Sequence, residues 1–318
     1  MLASVIHSSV RNISSRKISK IKDVMIVGSG LMGAGIAQVA AAAGMNVHLV
    51  DQSSDALERA KEQIKDSMGK FAKKQFPDDK QKAQTHVQET MGKIRCHTDP
   101  CVPAGQADII IEAIVENLEV KRDLFHRLDV VAANHTIFAS NTSSLSIGAI
   151  AASTSRRDRF GGLHFFSPVP MMKLLEVIRI DQTSDDTFDS MMEFAKTIGK
   201  APVACKDTPG FIVNRLLIPY MCEAVRMVER GDATPADIDT AMQLGAGYKI
   251  GPLALMDFTG VDLGKHIIDG WHKADPTNPV FQPSGLIDKM VREGKFGRKS
   301  GHGFYDYSQQ KDAEKKKR

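Results

Sequence analysis

The chain is short of cysteine, of long apolar runs and of basic charge in its body, and each shortage excludes a class of protein. It has four cysteines in 318 residues. Cys96, Cys101, Cys205 and Cys222 form no CxxC pair and have no clustered histidine, so neither a zinc site nor a disulfide framework is expected. Apolar runs such as Val39–Ala43 and Ile109–Ile111 are far below the ~20 residues that span a bilayer. The formal charge of +4 is carried by the ends. Residues 1–22 hold five bases and no acid, and 311–318 hold five bases against two acids. The remaining residues, 23–310, keep 32 bases against 36 acids. A body of that balance offers no support for a nucleic-acid groove.

The rest is ordinary. Apolar residues make up 42% and charged residues 25%, which excludes a disordered or collagenous chain, and the length suits about two domains of ~150 residues. Residues 1–20, MLASVIHSSVRNISSRKISK, are rich in serine and base, free of acid, and lack a secretory apolar core. That composition fits a mitochondrial transit peptide, hence a matrix protein; a plain basic tail is the alternative.

From Val24 to Cys205, β-like runs alternate with helical ones. Val24–Val27, Val47–Val50, Ile109–Ala113, Thr136–Ala139 and Phe160–His164 read as strands, and Ile36–Ala43, Ser54–Lys74 and Glu119–Ala133 as helices. Alternation of this kind implies a doubly wound, mostly parallel sheet. Near Asp207 the character changes. Thr208–Pro209 reads as a capped helix start with proline at the first position. Ile212, Leu216, Tyr220, Ala224 and Val228 then recur every four residues as an expected buried face. Thr234–Pro235 opens another helix, and helical patterns continue to about Arg292. The expected architecture is an α/β Rossmann-like domain at 21–206, followed by an all-helical domain at 207–318.

Gly28-Ser29-Gly30-Leu31-Met32-Gly33 lies between a strand and a helix. Gly28 permits the tight turn, Gly30 a close backbone approach to a pyrophosphate, and Gly33 close packing of helix on strand. The helix start adds N–H groups and the positive end of a dipole. Asp51 follows the next strand, where a carboxylate accepts from ribose hydroxyls and repels the extra phosphate of NADP. The expected cofactor is NAD.

IVGSGLMGAGIAQVAAAAG, VDQS, EAIVENLEVK, FASNTSSL, GLHFFSPVPMMKLLEV and KDTPGFIVNRLL occur in this order. Together they resemble the mitochondrial short-chain L-3-hydroxyacyl-CoA dehydrogenases, from about Ile21 to Tyr307. The resemblance implies a Rossmann domain for NAD, a helical domain that pairs two subunits, and acyl-CoA in the cleft between the domains.

His164 ends a predicted strand just before the turn Ser167–Pro170, at the edge where α/β sheets place ligands. A lone histidine is more often a satisfied structural residue. Glu176, however, shares a face with Leu174 and Ile178, and a carboxylate on an apolar face needs a partner. If the intervening turn returns the chain, the carboxylate can orient the imidazole as a base. The resemblance assigns the same pair as catalytic dyad.

Ser143 reads either as the N-cap of a helix over Leu145–Ala152 or, from the resemblance, as a group beside the substrate hydroxyl and nicotinamide. Asn214 lies among Ile212, Val213, Leu216 and Leu217 and needs a hydrogen-bond partner. The resemblance puts it at the substrate. It also assigns Ser67 and Lys74, seven apart and so on one helix face, to CoA, and Glu116, Lys121 and Lys299 to NAD. One position departs from the family: HFFNPVP is HFFSPVP here, so Ser167 replaces an amide with a shorter single donor near the nicotinamide. The expected activity is NAD-dependent oxidation of L-3-hydroxyacyl-CoA in fatty acid β-oxidation. A related dehydrogenase of a small hydroxy acid, of the gulonate-oxidising lambda-crystallin kind, and a non-catalytic NAD-binding structural protein are the rivals.

Overall fold

The computed structural model describes residues 20–309; the expected transit peptide lies outside them. The chain divides into two compact units. Among the described residues one takes 20–142 and 147–204, and the other takes 143–146 and 205–309.

The first unit is built on an eight-stranded sheet. Its strands are β1 (Asp23–Val27), β2 (Asn46–Val50), β3 (Ile94–His97), β4 (Ile109–Glu112), β5 (Ile137–Ser140), β6 (Phe160–Phe165), β7 (Leu174–Arg179) and β8 (Ala201–Lys206). They lie in the order β3-β2-β1-β4-β5-β6-β7-β8. Pairing is parallel from β3 to β6 and antiparallel between β6 and β7. The order reverses between β1 and β4, and ligands of doubly wound sheets bind at the carboxyl ends of the strands at such a point. Covered on both faces, the inner strands are nearly all apolar; Ile109, Ile110 and Ile111 are each 0% exposed.

The helices are α1 (Leu31–Ala42), α2 (Ser54–Gln75), α3 (Lys80–Gly92), α4 (Cys101–Ala104), α5 (Leu118–Val131), α6 (Ile147–Ala151) and α7 (Asp185–Thr197). Several are stopped and started by their expected chemistry. Ser53 accepts from Ala56 N to cap α2, Asn117 accepts from Glu119 N and Val120 N to cap α5, and Gly44, at φ +87°, follows α1. The helix expected over Leu145–Ala152 is shorter. It starts at Ile147, so Ser143, four residues upstream, is not its N-cap.

The second unit holds α8 (Val213–Arg230), α9 (Pro235–Ala246), α10 (Pro252–Thr259), α11 (Val261–Ala274) and α12 (Gly285–Arg292). Thr234 caps α9 with Pro235 in its first turn, as the sequence indicates. Two expectations fail here. Pro209 does not open α8, because Gly210 and Phe211 take positive φ (79° and 52°) and delay the helix to Val213. The buried face is Ile218, Met221, Cys222 and Val225 with Ala224, while Leu216 is 69% exposed. A stripe repeating every four residues drifts ~40° per step on a 3.6-residue helix, so its five members could not share one face. These side chains pack with Leu253, Met256, Ile268, Trp271 and Met290. Two buried aspartates brace the unit: Asp239 accepts from Leu253 N and Tyr305 OH, and Asp257 from Phe304 N and Tyr305 N. Among the described residues no helix is long and apolar enough to cross a membrane.

Candidate active site

The carboxyl ends of β1, β2, β4 and β5 carry the first group of candidate residues. Gly28 follows β1 at φ +103°, and a Cβ there would lie 2.4 Å from Ala113 O; a Cβ on Gly33 would lie 1.8 Å from Gly28 O. Both positions are closed to any side chain. Gly30 differs: its φ of −64° suits any residue, and nothing lies within 4 Å of an added Cβ. Glycine at Gly30 therefore leaves space above the start of α1, which no side chain caps. Uncapped N–H groups, a dipole end and open space fit a dinucleotide pyrophosphate. In the same turn Ser29 is buried, Leu31 is 62% exposed and Met32 half-buried.

Asp51 follows β2 directly. Its Oδ2 accepts from Ser29 N (2.9 Å) and Ser29 Oγ (2.8 Å), and its Oδ1 from Ser53 N (3.1 Å). Burial pushes the carboxyl up, but these hydrogen bonds outweigh it, and the group sits below the usual aspartate value. The carboxylate thus locks the glycine turn and still has lone pairs for a ribose hydroxyl.

His164 and Glu176 are directly opposed in the antiparallel β6–β7 ladder. Nδ1 of His164 lies 2.7 Å from Oε2 of Glu176, with the residues 5% and 0% exposed. A carboxylate has only acceptor sites, so Nδ1 carries the hydrogen and Nε2 is the lone-pair nitrogen of the neutral ring. The turn between them is held from below. Buried Lys200 donates to the carbonyls of Val169 and, at 2.7 Å, Met172, and burial lowers its pKa. Asn141 Oδ1 accepts from Phe165 N at 2.9 Å, fixing β6 next to the histidine. Ser167 is exposed at the start of the turn.

The other residues divide between the units. Lys121, 1% exposed, lies 2.6 Å from Glu112 Oε1 and 3.1 Å from Glu116 Oε2. Glu116 is exposed and accepts from the Thr142 hydroxyl. Ser67, half-buried, and Lys74, exposed, lie on α2. In the second unit, Ser143 is half-buried in a bend, Asn214 half-buried in the first turn of α8, and Lys299 exposed and 2.6 Å from Asp262. The structure therefore brings together His164 with Glu176, Ser29 with Asp51, and Lys121 with Glu116. Glu112, Ser140, Asn141 and Lys200 also support these groups, and no sequence pattern marks them individually. The first three lie inside the segments EAIVENLEVK and FASNTSSL, and that position is their one signal in the sequence.

Family models match both units: 3-hydroxyacyl-CoA dehydrogenase, NAD binding domain, over residues 23–208, and the C-terminal domain of the same family over 210–307. The chain belongs to the 3-hydroxyacyl-CoA dehydrogenase family. It is similar to the mitochondrial hydroxyacyl-coenzyme A dehydrogenase of Sus scrofa, 55% identical over 96% of this chain and 98% of that one. The Homo sapiens enzyme of the same name is also 55% identical, over 96% and 97%. Among solved structures, the (S)-3-hydroxybutyryl-CoA dehydrogenase of Ralstonia eutropha superposes with a TM-score of 0.85 at 39% identity, covering 91% of this chain and 99% of that one. As a member of the 3-hydroxyacyl-CoA dehydrogenase family the chain is an NAD-dependent oxidoreductase of 3-hydroxyacyl-CoA, with the fold class expected from its sequence.

Proposed function

We propose that His164 is the general base of this oxidation, oriented by Glu176, acting on L-3-hydroxyacyl-CoA in fatty acid β-oxidation. The observation that carries the reading is the buried 2.7 Å contact between Nδ1 and the carboxylate, at the carboxyl edge of the sheet. Nε2 takes the proton of the C3 hydroxyl. Glu176 stabilises the positive charge the ring then bears and keeps it from turning. Bound NAD supplies the hydride acceptor. Gly28 to Gly33 and Asp51 hold its pyrophosphate and adenosine ribose, and Glu116, Lys121, Ser143, Ser167 and Lys299 serve its nicotinamide half. Ser143 and Asn214 position the substrate oxygens, and Ser67 and Lys74 meet the CoA moiety; the exposed ammonium of Lys74 supports the last assignment through charge complementarity to phosphate.

The domains are taken as 21–206 and 207–318, and 1–20 as a transit peptide. The names of the mammalian relatives point to the mitochondrion, and the matrix is the compartment proposed. A homodimer through the helical unit is supported by its large exposed apolar side chains, Leu216 at 69%, Leu244 at 84% and Phe258 at 63%. The test is NADH formation with 3-hydroxyacyl-CoA substrates beside gulonate. Turnover of the thioesters is expected, and activity on gulonate alone would overturn the reading.

A further inference from the structure

Glu112 places a carboxylate inside the α/β unit, at 0% exposure, and the His164–Glu176 pair makes no use of it. Its Oε1 accepts from Lys121 Nζ at 2.6 Å and from Ile114 N at 2.7 Å, and its Oε2 from Ser140 Oγ at 2.6 Å. Those donors come from α5, from the turn after β4 and from the end of β5, so one side chain ties three pieces of chain to β4. The bonds continue outward. Ser140 Oγ accepts from Thr142 N at 3.2 Å, Lys121 Nζ lies 3.1 Å from Glu116 Oε2, and the Thr142 hydroxyl donates to Glu116. The contacts close into a ring: Glu112, Lys121, Glu116, Thr142, Ser140 and back to Glu112. Ser143 is the next residue along the chain.

The ring sits at the reversal of strand order. Glu112 is paired with Val27, the residue before Gly28, and with Ser140 on the other side. Gly28 itself packs on Ala113, the neighbour of Glu112. Stability alone gives no reason for a charge here, because replacing a buried ion pair with apolar groups of similar volume is often neutral or stabilising. What an apolar pair cannot do is hold two loops in register through directed bonds.

We infer that Glu112 is a positioning residue for the reaction. It holds Glu116 from two sides, through Lys121 and through Ser140 and Thr142, where the nicotinamide half of the cofactor is met. The inference rests on the role of Glu116 given above.

Glu112→Gln preserves the volume and one acceptor and removes the charge; Ser140→Ala removes one arm of the ring. Each purified variant is titrated with NADH by fluorescence to count binding sites and measure Kd, and kcat is expressed per site. In Glu112→Gln, kcat per site is expected to fall at least ~10-fold, since sub-ångström misplacement is costly to hydride transfer. NADH Kd is expected to rise roughly fivefold or more, with Ser140→Ala shifting both in the same direction by less. A merely structural role would reduce the number of sites and leave Kd and kcat per site at wild-type values; that result in both variants overturns the inference. If Glu112→Gln does not fold, Ser140→Ala and Thr142→Val carry the test alone. Glu116→Ala separates the two levels. Wild-type NADH binding in Glu116→Ala overturns the underlying reading of that loop. Weak binding there with wild-type behaviour in Glu112→Gln and Ser140→Ala overturns only the role of Glu112.

Discussion

Alanine at Gly30 and at Gly33 should separate cofactor binding from folding within one turn. A Cβ on Gly33 would stand 1.8 Å from Gly28 O and 3.5 Å from Ile26 Cγ2. Relieving the first contact requires more than an ångström of backbone movement between β1 and α1, at the upper end of overpacking costs, about 3 kcal/mol. The thermal midpoint should fall by roughly 6–12 °C. Gly30 has no such neighbour. Alanine is a poorer N-cap than glycine by about 0.5–1 kcal/mol, and its stiffer unfolded chain offsets about 0.4–1 kcal/mol, so the midpoint should hardly move. The new methyl instead fills the space above the α1 N-terminus. Losing one charge-assisted hydrogen bond there, about 1.5–3 kcal/mol, weakens NADH roughly 10- to 100-fold. Thermal unfolding and NADH fluorescence titration on the two variants decide it. Gly30→Ala binding NADH as tightly as wild type, or melting as early as Gly33→Ala, would refute the division of roles.

Asp51→Ala should narrow the preference for NAD over NADP, chiefly by weakening NAD, because the carboxylate that repels a 2′-phosphate is gone; an unchanged ratio of kcat/KM values would remove Asp51 as selector. Ser167→Asn should leave the thermal midpoint unchanged and NAD affinity within about threefold, and should raise kcat if the hydroxyl holds the nicotinamide less firmly than an amide; a large fall would mean that the pocket is built around the serine. His48 and His97 meet at 3.0 Å, and burial, with the repulsion of neighbouring positive charge, lowers the pKa of both. The folded state therefore resists protonation that the unfolded chain accepts, so this contribution is present above about pH 6.5 and is lost as pH falls through the lowered folded values. His97→Gln should flatten the fall in the urea midpoint between pH 7 and 5, and an equally steep fall would contradict the pair's role.

The parts of the fold that the sequence discloses are those whose chemistry is local. The Gly28–Gly33 turn, Asp51 after β2, and the Thr234–Pro235 helix start each need only a few adjacent residues to be recognised. The His164–Glu176 pair is legible because successive side chains of a strand point to opposite faces, which puts the Glu176 carboxylate on one face with Leu174 and Ile178. What stays hidden depends on tertiary context. Strands β3 (IRCH) and β8 (APVACK) lie at the sheet's two edges, where polar side chains dilute the pattern. Thr208–Pro209 has the composition of a helix start, but the left-handed residues at Gly210 and Phe211 postpone it. Glu112 lies inside the strand expected over Ile109–Ala113, and only folding shows that Lys121, Ser140 and Ile114 converge on it.

The central claim is that the buried histidine–carboxylate pair performs proton abstraction in the oxidation of 3-hydroxyacyl-CoA. The most direct measurement is the rate of NADH formation from NAD and L-3-hydroxybutyryl-CoA by wild type and His164→Gln, with NADH affinity of each determined by fluorescence. The expected result is a fall in kcat of at least ~10²-fold, as for loss of a general base, with NADH affinity unchanged. A folded His164→Gln enzyme that turns over at a near wild-type rate would contradict the account.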